Sequence, residues 1–532
     1  HMYAMLAATA GVTSVSVAGD TVNALPVMVP SSKSVFGEAH YSFTLAPTLG
    51  FDHAEATGAA LPANYELAAW APDALLGPAW PAIYAALGSA IHNDYPVIEG
   101  LLNAVHLDHS ITLEYTPEQM RERGITTIDV TSHVAAVDES SSGRIVTVAL
   151  DLIANGEHVG STQERFAIRG RATGNRAPSE AAPFGGAKVE VVDTPRSVLR
   201  RVSVKAPDDM TPFAIVSGDY NPIHTSYAAA KVAGMDAPLV HGMWLSATAQ
   251  HAAEAVVAGQ GGAQIAGWTY YMYGTVDLND EVEITVERVG RVVGGGLSLE
   301  VTCRINKQVV SRASAYTFAP KVAYVYPGQG IQSAGMGLDE RTKSKAVDEV
   351  WRRADAHTRS AMGFSILAIV RDNPTEIVAR GVTYRHPEGV LNLTQFTQVA
   401  LATLAIGQTA RMREEGVLVP GAAFAGHSLG EYDALAAYAE VFPLEIVLDL
   451  VFQRGSTMHS LVPRDENGRS NYRMGALRPN QFGVDDAHVV EYVDSIAQAS
   501  GEFLQIVNFN LAGAQYAVAG TVAGLKALEE DA

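Results

Sequence analysis

The residues with chemistry in them gather in Ser217-Gly-Asp-Tyr-Asn-Pro-Ile-His-Thr-Ser226, where one carboxylate, Asp219, closely precedes one imidazole, His224. Between them Asn221-Pro222 forces a turn, because Pro fixes φ and removes a backbone donor. Such a loop lets two titratable groups converge while a scaffold holds their backbones still. Gly218 is expected to allow a tight strand exit, and the stretch after Pro222 is helix-friendly as far as Lys231. Next, Leu239-Val-His-Gly-Met-Trp244 opens an apolar helix expected to run to about Ala258, with Gly242 in its first turn. First-turn N–H groups have no intrahelical partner and carry the positive end of the helix dipole. The Gly242 N–H can therefore hold a thioester oxygen. A carboxylate, an imidazole and such a donor are what elimination of water from a 3-hydroxyacyl thioester needs. Taken alone, the pair also suits a capped helix start with a structural histidine.

A second chemistry lies in Gly426-His-Ser-Leu-Gly430, preceded by an apolar strand and followed by an Ala-rich helix. G-x-S-x-G in that context reads as a nucleophile elbow, with Ser428 exposed on a strained turn and the Leu429 N–H free for an oxyanion. Upstream, Pro327-Gly-Gln-Gly330 can bring the Gln329 N–H to the same oxyanion. Downstream, Gln453-Arg-Gly455 offers Arg454, whose fork of donors matches a free carboxylate. A hydrolase or thioesterase would want an acid and a His after the serine in chain order. His427, His459 and His488 are poorly placed to serve as that base.

The scaffold must be large. At 532 residues the chain exceeds one core, and its 48% hydrophobic and 18% charged residues suit globular domains. The net charge of −20 argues against nucleic acid. It also means that an acidic protein partner would need a local basic patch, such as Arg196, Arg200, Arg201 and Lys205. The single cysteine, Cys303, allows no internal disulfide, points to a reducing compartment and reads as a core residue. No apolar run is long enough to span a membrane.

The first 40 residues read as short β-like runs, and Trp70 to about Val105 as a loop and then a helix broken near Asp94-Tyr-Pro. Strands follow at Ile111–Tyr115, Thr126–Val137, Arg144–Ala154 and His158–Arg169. The same order recurs after the Gly234–Ala258 helix, at Tyr270–Asp277, Glu281–Val293, Leu297–Asn306 and Val309–Ala319. Two alternating hairpins with Asn155 and Asn306 at their bends suggest an internal duplication, a helix wrapped by an antiparallel sheet, twice. Only the second copy has the Asp-x-Asn-x-x-His loop; His92, His106 and His109 in the first read as structural. A Gly/Ala/Pro-rich stretch, Gly170–Gly186, looks like a linker. After Pro320 a buried-type strand and helices take over.

SGDYNPIH followed by PLVHG resembles the MaoC-like or hydratase-2 group, hot-dog-fold enzymes that hydrate or dehydrate (R)-3-hydroxyacyl and trans-2-enoyl thioesters. The resemblance implies that Asp219 and His224 share the proton transfers, with Asn221 and Gly242 at the substrate; which group handles which proton stays open. PGQG, GHSLGEY and QRG together resemble the malonyl/acetyl acyltransferases of fatty acid and polyketide synthases, from about Lys321 onward. That implies ping-pong transfer through Ser428, oxyanion contacts from Gln329 and Leu429, and Arg454 on a malonyl carboxylate. Asn510 and Gln515 then fall in a substrate-pocket segment ahead of a ferredoxin-like subdomain. The family's activating His lies beyond that segment, so the transferase is expected to be incomplete.

This domain order resembles the β-type half of microbial type I fatty acid synthases, with the actinobacterial single-chain form suggested by the Ala and Gly content. The first copy looks more loosely like the non-catalytic half of that dehydratase region. The expected fold is an α+β double hot dog followed by an α/β acyltransferase domain with an α/β-hydrolase-like core and part of a ferredoxin-like subdomain. Expected boundaries are a connecting segment at 1–40, a non-catalytic hot dog at 41–185, a catalytic one at 186–320 and a malonyl/palmitoyl transferase at 321–532. Implied partners are acyl carrier protein, malonyl-CoA, palmitoyl-CoA and the remainder of a cytoplasmic, hexameric synthase. No metal or flavin is implied, and phosphopantetheine arrives on the carrier. The alternatives are a free (R)-specific enoyl-CoA hydratase with a degenerate transferase, and a non-catalytic wall piece of a megasynthase.

Overall fold

Two hairpins with asparagine at the bend set the plan of the first half of the chain. Asn155-Gly156 and Asn306-Lys307 all have positive φ, the backbone that matches a two-residue turn to the twist of its strands. The computed structural model describes residues 2–12, 25–58, 70–92, 94–98, 104–140, 143–169, 189–256, 264–466 and 468–532. The chain divides into two units, residues 1–321 with 416–420, and residues 322–415 with 421–532.

In chain order the first unit holds α1 (Met2–Thr9), β1 (Met28–Val29), β2 (Glu38–Thr44), α2 (Leu49–Ala56), α3 (Leu76–Ser89), β3 (Ile91–His92), β4 (Tyr95–Pro96), β5 (Ala104–Leu113), α4 (Pro117–Glu122), β6 (Thr127–Ser140), β7 (Gly143–Ala154) and β8 (Glu157–Ile168). It continues with β9 (Val191–Lys205), α5 (Thr211–Ser217), α6 (Tyr227–Val232), α7 (Gly242–Glu254), β10 (Ile265–Met272), β11 (Glu281–Val292), β12 (Leu297–Ile305) and β13 (Gln308–Thr317). Eleven strands form one antiparallel sheet in which β2-β6-β7-β8-β5 meets β10-β13-β12-β11-β9, with β1 outside β2. Read from either edge inward, the two halves have the same order. They join where Gly267 lies opposite Thr112 and Tyr271 opposite Asp108.

Each half wraps one helix: α3 packs on β2, β6 and β7, and α7 on β9 to β12. Along α7, Met243 to Gln250 are all buried, and the polar ones are paired: Ser246 accepts from the Trp268 indole, Thr248 donates to the Trp244 carbonyl and Gln250 accepts from the Asp73 N–H. Cys303 sits in the core, and burial pushes its thiol up to about 12, so it is an inert packing residue.

Beyond β5, which covers Ala104–Leu113 rather than the expected Ile111–Tyr115, the elements differ from expectation in four places here. Residues 2–9 are helical rather than β-like. Gly218 does not leave a strand; it caps α5 in the left-handed conformation, φ 71. Ile215-Val216 look strand-like, but Pro212 starts the helix and Phe213 and Ala214 are buried, so packing overrides propensity. The strand expected over Tyr270–Asp277 lies over Ile265–Met272, where pairing with β5 and β13 buries Trp268 and Tyr270. The fourth is α7, which begins at Gly242 and ends at Glu254. The expected linker at 170–186 lies outside the described residues.

The second unit holds β14 (Ala323–Tyr326), α8 (Lys345–His357), α9 (Ile366–Asp372), β15 (Glu376–Ala379), β16 (Val382–Arg385), α10 (Thr394–Glu414), β17 (Ala423–Gly426), α11 (Leu429–Ala437) and α12 (Leu444–Ser460). After these come β18 (Tyr472–Leu477), α13 (Val489–Ser500), β19 (Leu504–Leu511), β20 (Gln515–Thr521) and α14 (Val522–Asp531). α10 packs between α8 and α12, burying Trp351, Phe396, Val399 and Val451. β14 and β17 pair in parallel, with Tyr326 opposite Gly426. The strand expected to be buried is not: Val325 is 76% and Phe424 41% exposed, because these two strands are the whole of their sheet among the described residues. A separate antiparallel sheet, β18-β20-β19, closes over α13 and α14 around Val489, Tyr516 and Val518. No described helix is long and apolar enough to cross a membrane.

Candidate active sites

Two nested side-chain turns build the loop between α5 and α6. The Asn221 N–H donates to Asp219 Oδ1 at 3.1 Å, and the Ile223 N–H donates to Asn221 Oδ1 at 3.3 Å. Asp and Asn favour this local bonding, and Pro222, with no N–H, sits between without leaving a donor unpaired. One carboxylate oxygen of Asp219 is thereby spent, and Oδ2 remains for chemistry. Asn221 holds the turn through Oδ1 and lines the cavity described below.

His224 Nδ1 lies 2.8 Å from the Leu239 carbonyl. A carbonyl only accepts, so Nδ1 carries the proton and Nε2 keeps its lone pair. Burial holds the His224 pKa below its ordinary 6.5, against the opposing pull of Asp219 and Leu239. His241 caps α7, with Nε2 3.1 Å from the Asp219 carbonyl oxygen and 3.8 Å from Asp219 Oδ2. Its ring stacks on His224, centroids 3.8 Å apart and planes at 26°. Burial, then the neighbouring His224, pushes His241 down to about 3. The motif contained His241, but the sequence reading gave it no role; its place immediately before the glycine that starts an apolar helix was the available signal.

One atom from each of Asp219, His224 and His241 lies within 4.8 Å of the others. That spacing could suggest a metal. However, His224 Nδ1 and His241 Nε2 are each committed to a carbonyl, and rings lying face to face do not aim two lone pairs at one point. The arrangement suits proton transfer better than coordination.

Asp219, His224 and Gly242 line a cavity of about 640 Å³ together with Trp80 and Tyr84 of α3 and Phe166 of β8, all from the other half. A Cβ on Gly242 would come 2.4 Å from the Met272 sulfur, so residue 242 meets the cavity as bare backbone. Burial pushes the Tyr84 phenol well above its usual range.

The first-half histidines are spent on neighbours. His109 lies between Asp73 at 2.8 Å and Glu164 at 2.7 Å, His106 bonds Glu164 at 2.8 Å, and His92 pairs with Glu139 at 3.0 Å. Burial alone would lower His109, but Glu164 and Asp73 outweigh it and raise it to about 10. On the surface strand β9, Arg196 is tied to Glu287 and Glu300, while Arg200, Arg201 and Lys205 are exposed.

In the second unit Ser428 stands between β17 and α11 at φ 58, ψ −110, a backbone that costs a non-glycine residue about 1–3 kcal/mol. Both flanking glycines are required: a Cβ at Gly426 would meet the Gly430 carbonyl at 1.9 Å, and one at Gly430 the Tyr326 carbonyl at 2.0 Å. Arg454 Nη2 donates to Ser428 Oγ at 3.0 Å. The Leu429 N–H opens α11 directly after the serine. The Gln329 side chain reaches Thr394 at 3.4 Å, and Gly328 lies against the His427 carbonyl. Among the described residues no imidazole hydrogen-bonds Ser428. Asn510 and Gln515 are exposed on β19 and β20, inside the small subdomain rather than ahead of it, and no hydrogen bond joins them to Ser428.

Residues 187–308 match the family described as MaoC like domain, and residues 323–519 the family described as acyl transferase domain. The fatty acid synthase subunit beta of Saccharomyces cerevisiae is 33% identical over 361 residues, 60% of this chain and 18% of that protein. The fatty acid synthase beta subunit stcK of Emericella nidulans is 33% identical over 362 residues, 61% of this chain and 19% of that protein. A solved MaoC-like dehydratase from Phytophthora capsici is similar at 14% identity over 53% of this chain and 96% of that one, with a TM-score of 0.40. The chain spans about a fifth of the length of the curated relatives it matches. It carries a MaoC-like domain followed by an acyl transferase domain, and it is homologous to fungal fatty acid synthase beta subunits.

Proposed function

We propose that this chain is a part of a type I fatty acid synthase in which Asp219 and His224 dehydrate (R)-3-hydroxyacyl thioesters to trans-2-enoyl thioesters. The observation that carries this reading is one unspent carboxylate oxygen and one unspent ring nitrogen at the wall of an apolar cavity. Nε2 is the only lone pair of the neutral His224 ring, so it takes the C2 proton while Asp219 Oδ2 holds the C3 hydroxyl. The C2–H pair becomes the double bond, the C3–O bond breaks, and the proton on His224 passes to the departing oxygen, which leaves as water. The Gly242 N–H steadies the thioester oxygen. Hydration of a crotonyl thioester by this chain tests the proposal, and absence of hydration at any pH rejects it. Preference for a carrier-protein thioester over the CoA ester supports the synthase reading, and the reverse supports a free hydratase.

The second unit supports a malonyl/palmitoyl transferase reading with Ser428 as nucleophile, the Leu429 and Gln329 N–H groups at the oxyanion, and Arg454 facing a malonyl carboxylate. Acyl carrier protein, malonyl-CoA and palmitoyl-CoA are the partners this implies, within a cytoplasmic, oligomeric synthase. In the complete synthase, Arg454→Ala should reduce malonyl loading more than palmitoyl loading, measured by acyl transfer to carrier. Equal losses would remove that role from Arg454.

A further inference from the structure

Three contacts converge on His241, which neither the proton transfers nor the oxyanion contact uses. Its Nε2–H ties the N-terminus of α7 to the carbonyl of Asp219, at 3.1 Å. Its face lies on His224 at 3.8 Å, and the Phe213 ring closes from the side at 5.2 Å. The side chain is 2% exposed, and its Nδ1 is buried without a hydrogen-bond partner. An orphaned buried polar atom costs about 1–3 kcal/mol, a cost that an apolar ring of similar size would avoid. A local rule broken at that cost, beside two reacting groups, points to function.

Within the loop, Asp219 is bonded only locally: it follows the left-handed Gly218, its N–H donates to Ser217 Oγ at 3.3 Å and its Oδ1 accepts from the Asn221 N–H at 3.1 Å. The tie to another element nearest to it is the Tyr220 N–H on the Thr9 carbonyl at 3.0 Å, which leaves the Asp219 carbonyl to His241. We infer that His241 is a positioning residue: by donating to the Asp219 carbonyl while stacking on His224, it sets the separation and facing of the two groups that handle protons. This rests on the acid–base reading of Asp219 and His224 given above. Burial keeps the His241 ring neutral. When His224 takes a proton, the neighbouring ring then offers it a π face rather than a second cation. Displacement of a reacting group by an ångström can cost about 100-fold in rate, so the effect should fall on turnover.

The test uses the 532-residue chain and crotonyl-CoA hydration. His241→Gln keeps a donor at the reach of Nε2, His241→Phe keeps the buried ring without the donor, and His241→Ala removes both. The expected result is a kcat at least about thirtyfold lower for the alanine variant, with KM within about threefold, most of the loss recovered by glutamine and little by phenylalanine. An alanine variant within about threefold of the parent kcat, or a phenylalanine variant as active as the glutamine one, overturns the inference. If the alanine variant melts below the assay temperature, the glutamine and phenylalanine pair decides alone. Asp219→Asn is run in parallel. Its retaining activity would reject the acid–base reading itself, whereas an inactive Asp219→Asn beside a fully active His241→Ala would reject only the role of His241.

Discussion

Two places in the same sheet bring carboxylates and imidazoles together and reach opposite charge states. In the first half, acids grip His109 from both sides and hold it as a cation near pKa 10, while Glu164 falls to about 2 because His109 and His106 outweigh its burial. In the second half, burial prevails and both rings are neutral, His224 below its usual value and His241 at about 3. The residue types are the same. What differs is the ring: both nitrogens of His109 are held by acids, whereas His224 keeps Nε2 uncommitted beside a cavity, where it can react.

The sharpest way to break this comparison is at the neutral pair. Asp219→Asn or His224→Ala should lower crotonyl-thioester hydration by about 10²- to 10⁴-fold. A loss below about tenfold would mean the pair is not the chemical centre. At the saturated cluster the cost should fall on stability. His109→Leu removes the buried cation that Asp73 and Glu164 share and should destabilise the first unit by about 3–5 kcal/mol, read from its thermal melt, while molecules still folded keep hydrating. An unchanged melt would show that the cluster braces nothing.

The same cluster should shape stability against pH. The raised His109 contributes fully below its ordinary 6.5 and loses its contribution as pH climbs towards about 10. The depressed Glu164 contributes fully above its ordinary 4.5 and loses it as pH falls towards about 2. The cluster's contribution is therefore greatest between 4.5 and 6.5, and Glu164→Gln should flatten that maximum. The smallest effect concerns the reacting ring. His224 acts unprotonated and burial lowers its pKa, so the acid limb of kcat/KM for hydration should lie below pH 6.5. A limb at or above 6.5 would place His224 in contact with water.

The features written locally were legible. Asn at a two-residue bend announced both hairpins, Asn-Pro announced the turn between Asp219 and His224, and glycines on either side of a serine announced a strained turn. Features that depend on distant partners were not. The His109 clamp draws on Asp73 and Glu164 from other elements, and nothing near His109 in the chain forecasts them. The role proposed for His241 depends on the Asp219 carbonyl, and the sequence marks the position of the ring but not that partner. The apolar run at β14 looked buried because burial was inferred from composition, whereas exposure depends on what lies alongside. Asn508 to Gln515 resembled a pocket segment; it forms the end of β19 and the bend into β20, with Leu511 opposite Gln515, a placement set by pairing rather than by its own residues.

Trp80, Tyr84 and Phe166 belong to the half without the reacting pair, yet they wall the same cavity. On the dehydratase proposal, one copy would perform the reaction and the other would set what fits. Substitutions at Trp80, Tyr84 or Phe166 would then alter what fits while leaving the reacting loop untouched.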